Sequence, residues 1–119
     1  MYQKVIFAGY LTDKPVMRYT PQGKAVTNFT LAINDYGEKT MWMRVTVWGD
    51  RAESVAEYLD KGSPVLVEGR LDYDEGGNPE TYTGKDGKTR SSFKMTAYEV
   101  KFLPSKDDKK PQKSVEIPW

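Results

Sequence analysis

Two indoles flank a guanidinium in the stretch 41–48, at the spacing of one face of a β-strand. The side chains predicted on this face are those of Trp42, Arg44, Thr46 and Trp48. The opposite face carries the flexible and β-branched apolar residues Met41, Met43, Val45 and Val47. Such residues are typical of a buried stripe, so the pattern predicts that the aromatic and cationic face points towards water or a ligand.

Flat rings with a cation between them suit unpaired nucleic-acid bases and their phosphates. Each base stacked on an aromatic side chain contributes roughly 1–3 kcal/mol, whichever base it is. The same pattern is also compatible with indoles that are buried against a partner subunit or a second layer of structure. Periodicity alone leaves both interpretations open.

Composition excludes several classes of site. The chain has 119 residues, no cysteine and no histidine, so it cannot form disulfides, the usual zinc sites or nucleophiles paired with histidine. An enzyme would have to use carboxylates, lysines or tyrosines. The acids Asp72, Asp74 and Glu80 are candidates for a hydrolase, but their polar surroundings lack the apolar pocket that a general acid needs. We expect no cofactor, no metal and no enzymatic activity.

Charge and hydropathy indicate the setting in which the chain works. The net charge is only +1, and the residues after Leu103 carry that excess, so any affinity for phosphate must come from a local patch. The sequence shows no basic leader and no apolar run of membrane-spanning length. We therefore expect a cytoplasmic protein with no membrane contact and a single folded domain.

Alternating apolar residues predict five main strands, which cover residues 4–11, 25–34, 41–48, 65–71 and 92–102. A short segment, 16–19, lies between the first two. The apolar phase of the last strand shifts between Met95 and Tyr98, which predicts a β-bulge there. The polar stretch 72–90 predicts a long loop that is able to form a β-ribbon of its own.

One helix is predicted over residues 50–62. Asp50 is the expected N-cap, Glu53 completes a capping box, and Gly62 suits the C′ position. The order of strands and helix predicts a mainly β protein, a five-stranded OB-fold barrel with its helix between strands three and four. Such barrels bind oligonucleotides or oligosaccharides on the face of strands two and three, and the two indoles lie on strand three.

Segments spread over residues 2–103 resemble the bacterial single-stranded-DNA-binding protein family. They include 4–6 with Gly9 and Leu11, 18–21 with Gly23, and 25–26 with Asn28-Phe29. The set is completed by Trp42 with Arg44-Val45, Trp48-Gly49, 52–53, 58–59 with 61–63, and 67–71. The resemblance implies an OB-fold domain over residues 1–103, a homotetramer, and sequence-independent binding and protection of single-stranded DNA during replication, recombination and repair. It also implies a place on the nucleoid.

The resemblance assigns base stacking to four aromatic residues: Trp42, Trp48, Tyr82 and Tyr36. The cations that we expect to contact phosphate are Arg44, Arg18, Lys85 and Arg90, although an exposed arginine or lysine is often only a solvated charge. Acids of the long loop would repel phosphate, so we expect Asp72, Asp74, Glu75 and Glu80 to point away from the DNA.

Residues 104–119 are charged and lack apolar periodicity, which predicts a disordered tail. The tail ends on Glu116, Ile117, Pro118 and Trp119, which resemble the family's tip that docks on replication and repair enzymes. An aromatic anchor of this kind fits a pocket on a partner, and the alternative is a segment folded back onto its own barrel. The alternative function is an OB-fold subunit whose aromatic face and tail contact other proteins.

Overall fold

The computed structural model describes residues 2–35 and 37–104. The strands in these ranges are β1 Val5–Leu11, β2 Val16–Tyr19, β3 Ala25–Asn34, β4 Thr40–Trp48, β5 Pro64–Leu71, β6 Thr81–Thr83, β7 Thr89–Ser91 and β8 Phe93–Phe102. The helix α1 covers Asp50–Tyr58, between β4 and β5. No helix in these ranges has the length and apolarity needed to cross a membrane.

Five strands close into a barrel in the order β1-β5-β8-β4-β3, and β1 pairs with β3 to complete the circle. Closure occurs where Tyr10 lies opposite Ala32 and Leu11 lies opposite Leu31. The pairing of β4 with β8 is parallel, and the other barrel pairs are antiparallel. The short strand β2 continues along the same edge of β3. This arrangement confirms the predicted OB fold.

Two glycines permit the closest backbone contacts of the barrel. A β-carbon placed on Gly9 would lie 2.5 Å from the carbonyl oxygen of Ala32, so β1 can meet β3 only without a side chain there. A β-carbon on Gly69 would collide with the carbonyl oxygen of Thr96. Gly69 lies where the pairing of β5 with β8 shifts register, which leaves Tyr98 as the extra residue and confirms the predicted bulge.

The barrel interior is filled by the predicted apolar faces. Met43, Val45 and Val47 are fully buried and pack with Leu31 and Met95. The helix packs on the barrel through the buried Val55, and Leu59, the residue that follows the helix, is buried in the same core. The hydroxyl of Thr27, itself fully buried on β3, donates to the carbonyl oxygen of Ala52 at 2.7 Å and ties the helix to the sheet.

The predicted caps of the helix were wrong at both ends. Gly49 is the N-cap, at φ 75°, and no side-chain hydrogen bond caps the helix. The reason is that the N–H of Gly49 still donates to Ala25 of the sheet, so the chain turns at the glycine and Asp50 is already helical. The helix ends at Tyr58, and the N–H of Gly62 donates to Leu11 of the barrel at 2.8 Å instead of capping the helix.

The long polar excursion contains the ribbon that the sequence allowed. Strands β6 and β7 pair with Tyr82 opposite Arg90. A tight turn joins them, in which Gly84 N–H donates to the carbonyl oxygen of Lys88. The ribbon begins and ends beside β8, because Asp72 N–H donates to Lys94 and Ser92 N–H donates to Glu80.

Candidate nucleic-acid interface

The outer face of β4 exposes both indoles. Trp42 is 56% exposed and Trp48 is 46% exposed, and the alternate residues of the strand are buried. Arg44 is exposed between them and Thr46 is half-buried. The predicted separation into two faces is therefore confirmed. The rings are six residues apart, which places them about 20 Å apart along the strand.

Small and polar neighbours leave this face open. Ala32 lies opposite Trp42 on β3, and Thr30 lies opposite Arg44. Asn28 lies opposite Thr46 and accepts a hydrogen bond from its hydroxyl at 2.9 Å. None of these side chains is large enough to cover an indole from the neighbouring strand. A flat group therefore has access to the exposed part of each ring.

An open groove of about 450 Å³ runs beside Arg44, and cations predominate along it. Its charged lining consists of Lys14, Arg18, Arg44 and Lys94, with Asp13 as the acid. The chain as a whole is almost neutral, at +1, so this groove is a local positive patch. Such a patch is what the sequence required for phosphate affinity.

The four predicted phosphate contacts divide into two pairs. Arg18 and Arg44 come together in the groove, although they lie on different strands. Arg90 lies on the ribbon, where its guanidinium pairs with Asp86 at 2.6 Å. Lys85 is exposed at the turn of the ribbon. These two cations are absent from the lining of the groove.

Tyr82 brings the ribbon to the barrel face. Its ring is 40% exposed, and the guanidinium carbon of Arg44 lies 5.5 Å from the ring centre. This distance is within the range of a cation–π interaction, which is worth about 0.5–1 kcal/mol at an exposed site. One predicted stacking residue and one predicted phosphate contact are thus neighbours. Tyr36, the fourth predicted stacking residue, lies outside the described residues.

Trp48 borders a second hollow at the far end of β4. Tyr19, Lys24 and Glu53 line this hollow together with the indole. The hydroxyl of Tyr19 is 3.4 Å from a carboxylate oxygen of Glu53 and donates to it. The hollow offers an aromatic wall, a cation and hydrogen-bonding groups, which is a suitable set for a single base.

Relatives of known name share this sequence over most of its length. The sequence profile of the Single-strand binding protein family matches residues 2–103. This chain belongs to that family. The resemblance inferred from the residues is therefore confirmed.

Three members of the family with curated names illustrate the similarity. The chain is similar to the single-stranded DNA-binding protein of Bacillus cereus, with 40% identity over 109 residues that cover 87% of this chain and 61% of that protein. Single-stranded DNA-binding protein 3 of Listeria innocua is 39% identical over 114 residues, 91% of this chain and 68% of that protein. The single-stranded DNA-binding protein of Neisseria meningitidis is 36% identical over 113 residues, which cover 88% of this chain and 62% of that protein. The chain thus spans about three fifths of the length of the Bacillus cereus and Neisseria meningitidis proteins.

The acids of the long loop in this family member do not all point away from the groove. Glu80 forms an ion pair of 2.9 Å with Lys94, which lines the groove. Asp72 accepts a hydrogen bond of 2.8 Å from Thr96, the neighbour of Lys94 on the outer face of β8. Glu80 thus departs from the expectation because the loop is anchored to β8 at both ends, whereas neither Asp72 nor its partner Thr96 lines the groove. Asp74 instead accepts from the N–H groups of Gly76 and Asn78 within the loop.

Sequence reasoning missed Lys14 and Lys94, which complete the groove of this family member. Lys94 alternates with the buried Met95, so its outward direction was available from the sequence. The position of Lys94 opposite Arg44 could not be inferred from the sequence, because the parallel pairing that brings them together joins two strands distant in the chain. Among the described residues, no group of three potential ligands could hold a metal ion.

Proposed function

We propose that this protein binds and protects single-stranded DNA with little sequence preference and carries out no covalent chemistry. The observation that carries the proposal is the outer face of β4, where two half-exposed indoles flank Arg44 beside a cationic groove. Membership of the Single-strand binding protein family supports it. Relatives from several bacteria are named single-stranded DNA-binding proteins, which supports it further.

In the proposed complex, bases stack on aromatic rings and phosphates pair with cations. Trp42 and Trp48 form the main platforms, about 20 Å apart, so several nucleotides lie between the two stacks. Arg44 and Arg18 pair with phosphates along the groove, and Tyr82 with Lys85 and Arg90 extends the path onto the ribbon. Every base has a flat π-face, which is why the preference among sequences is slight.

Fluorescence titration tests this function directly. The tryptophan fluorescence of the unmodified protein comes from Trp42, Trp48 and Trp119, so a Trp119→Phe variant reports on the two indoles of β4 alone. Oligo(dT) should quench this emission strongly, and binding should weaken by about 0.7 log units per log unit of salt for each phosphate contacted. Unchanged emission together with no binding at moderate salt would contradict the proposal and favour the alternative of a protein-interaction subunit.

We further propose that the protein forms a homotetramer. Support comes from the outer face of β1, where Ile6 and Tyr10 are about half exposed. Apolar side chains clustered on one face are typical of subunit contacts. The mass in solution, measured with and without oligo(dT), tests the number of subunits. A monomer at micromolar concentration, free and bound to DNA, would contradict it.

The expected partner segment, Glu116 to Trp119, and the rest of the tail from residue 105 lie outside the described residues. We propose that residues 116–119 recruit replication and repair enzymes in the cytoplasm, at the nucleoid. Support comes from the sequence, in which apolar Ile117 and Trp119 follow a strongly charged stretch. Deleting 116–119 should abolish this recruitment and leave the affinity for oligo(dT) unchanged.

A further inference from the structure

One of the cations that line the proposed DNA groove already forms an ion pair with a carboxylate of the same chain. The Oε2 atom of Glu80 lies 2.9 Å from the Nζ atom of Lys94. The side chain of Lys94 is 31% exposed and that of Glu80 is 37% exposed, so both charges are partly withdrawn from water. A pair in this setting is screened less by salt than a fully exposed pair.

Lys94 is next to Arg44 in the cationic set. It is opposite Arg44 in the parallel pairing of β4 with β8, and both residues line the groove. A phosphate held by Arg44 therefore comes within reach of the adjacent strand. In the free protein, however, the charge of Lys94 is already balanced by Glu80.

We propose that Glu80 is an internal substitute for a DNA phosphate: it keeps Lys94 paired when DNA binds and so withholds one phosphate contact from the groove. The proposal rests on the proposed binding of single-stranded DNA and adds a residue that limits its affinity. A carboxylate and a phosphate compete for the same ammonium group because both accept charge-assisted hydrogen bonds.

The neighbouring contacts hold the ribbon in place without the pair of Glu80 and Lys94. The backbone carbonyl of Glu80 accepts from Ser92 N–H at 3.2 Å, and this bond does not involve the carboxylate. Asp72 stays anchored to β8 through its own N–H and through the hydroxyl of Thr96. Removal of the Glu80 carboxylate charge therefore releases Lys94 and leaves the ribbon anchored.

Asp86 provides a contrast that separates Glu80 from the other acids. Its partner Arg90 lies four residues further along the same ribbon, so this ion pair moves with the ribbon as a unit. The pair of Glu80 and Lys94 instead connects the base of the ribbon to the barrel. Only the latter removes a positive charge from the lining of the groove.

The test compares oligo(dT) binding by the full chain and by Glu80→Gln over a range of salt concentrations. If Lys94 gains one phosphate, the plot of log affinity against log salt steepens by about 0.7. If the two proteins bind equally at about 1 M salt, this difference in slope makes the variant bind up to about fourfold more tightly at about 0.15 M salt. The gain shrinks as salt is added.

Glu75→Gln is the matched control. Glu75 lies in the same loop, is exposed, and removal of its charge changes the net charge by the same amount. This variant should keep the slope of the unmodified protein. Equal slopes for the two variants, or weaker binding by Glu80→Gln, would overturn the proposal, because the effect would then be long-range or Glu80 would be positioning Lys94 for DNA.

A second pair of variants identifies the cation involved. In a Lys94→Met background, Glu80→Gln should no longer steepen the salt dependence, since the released partner is missing. Persistence of the full effect there would overturn the assignment to Lys94. Thermal unfolding of each variant checks that it is folded. If the unmodified protein fails to bind oligo(dT), the proposed function itself fails; if it binds and only the variants disagree, this inference alone fails.

Discussion

The guanidinium carbon of Arg44 lies 5.5 Å from the centre of the Tyr82 ring, and this contact joins the barrel to the ribbon that follows β5. Arg44 belongs to a strand in the middle of the sheet, and Tyr82 belongs to a two-stranded extension nearly forty residues later. The cation–π pair therefore continues the aromatic surface of β4 onto the ribbon. It leaves much of the Tyr82 ring exposed to a base.

Trp42→Ala should weaken oligo(dT) binding by about 1–3 kcal/mol, the value of one base stack. Because the indole is 56% exposed, the free energy of unfolding should fall by about 1 kcal/mol or less. Tyr58→Ala, at an exposed aromatic residue on the helix, is the control and should leave binding unchanged. Titration and urea denaturation measure the two quantities. Unfolding or subunit dissociation of Trp42→Ala would indicate a structural role instead.

Arg44→Met should reduce the slope of log affinity against log salt by about 0.7, since one phosphate contact is lost. Arg51→Met removes the same charge from the helix, where the arginine pairs with Glu99 at 3.6 Å, and should keep the slope. Titration with oligo(dT) at several salt concentrations measures both. A slope that falls equally in the two variants would show that only the overall charge matters.

Tyr82→Phe should bind oligo(dT) like the unmodified protein, whereas Tyr82→Leu should bind more weakly by about 1 kcal/mol or more. The phenyl ring keeps both the contact with Arg44 and the flat surface for a base, and leucine keeps neither. Equilibrium titration of the two variants checks this. Equal affinities for Tyr82→Phe and Tyr82→Leu would place Tyr82 outside the interface.

Gly9→Ala should lower the free energy of unfolding by about 1–3 kcal/mol, because the new methyl group meets the carbonyl of Ala32 where the barrel closes. Gly76→Ala is the control. Its methyl group would have as its nearest neighbour the flexible amide of Asn78, at 3.3 Å, and should cost about 0.5 kcal/mol or less. Urea denaturation measures both. A neutral Gly9→Ala would mean that β1 and β3 separate easily.

Thr27→Val should destabilise the protein by about 1 kcal/mol, the net value of a typical hydrogen bond. The substitution keeps the shape of a fully buried side chain and removes its donor to Ala52 on the helix. Thr83→Val, on the exposed ribbon strand β6, is the control and should have little effect. Thermal unfolding measures the difference. DNA binding should be unchanged in both, since neither hydroxyl lines the groove.

The sequence by itself determined the barrel, its helix, its bulge and the exposed face of β4. Each of these depends on local periodicity, which Met43, Val45 and Val47 express on one side of a strand and Trp42 and Trp48 on the other. Such patterns hold because an apolar side chain gains free energy on burial whatever its eventual neighbours are.

Only the tertiary structure decided which charges meet. Lys94 lies beside Arg44 because two strands far apart in the chain pair in parallel, and Glu80 reaches Lys94 because the ribbon is anchored to β8. Gly49 displaced Asp50 as the N-cap for a related reason, a hydrogen bond to a distant strand. Contacts of this kind depend on register and loop path, which local propensity does not encode, so the sequence indicated a binding face and the fold set its electrostatics.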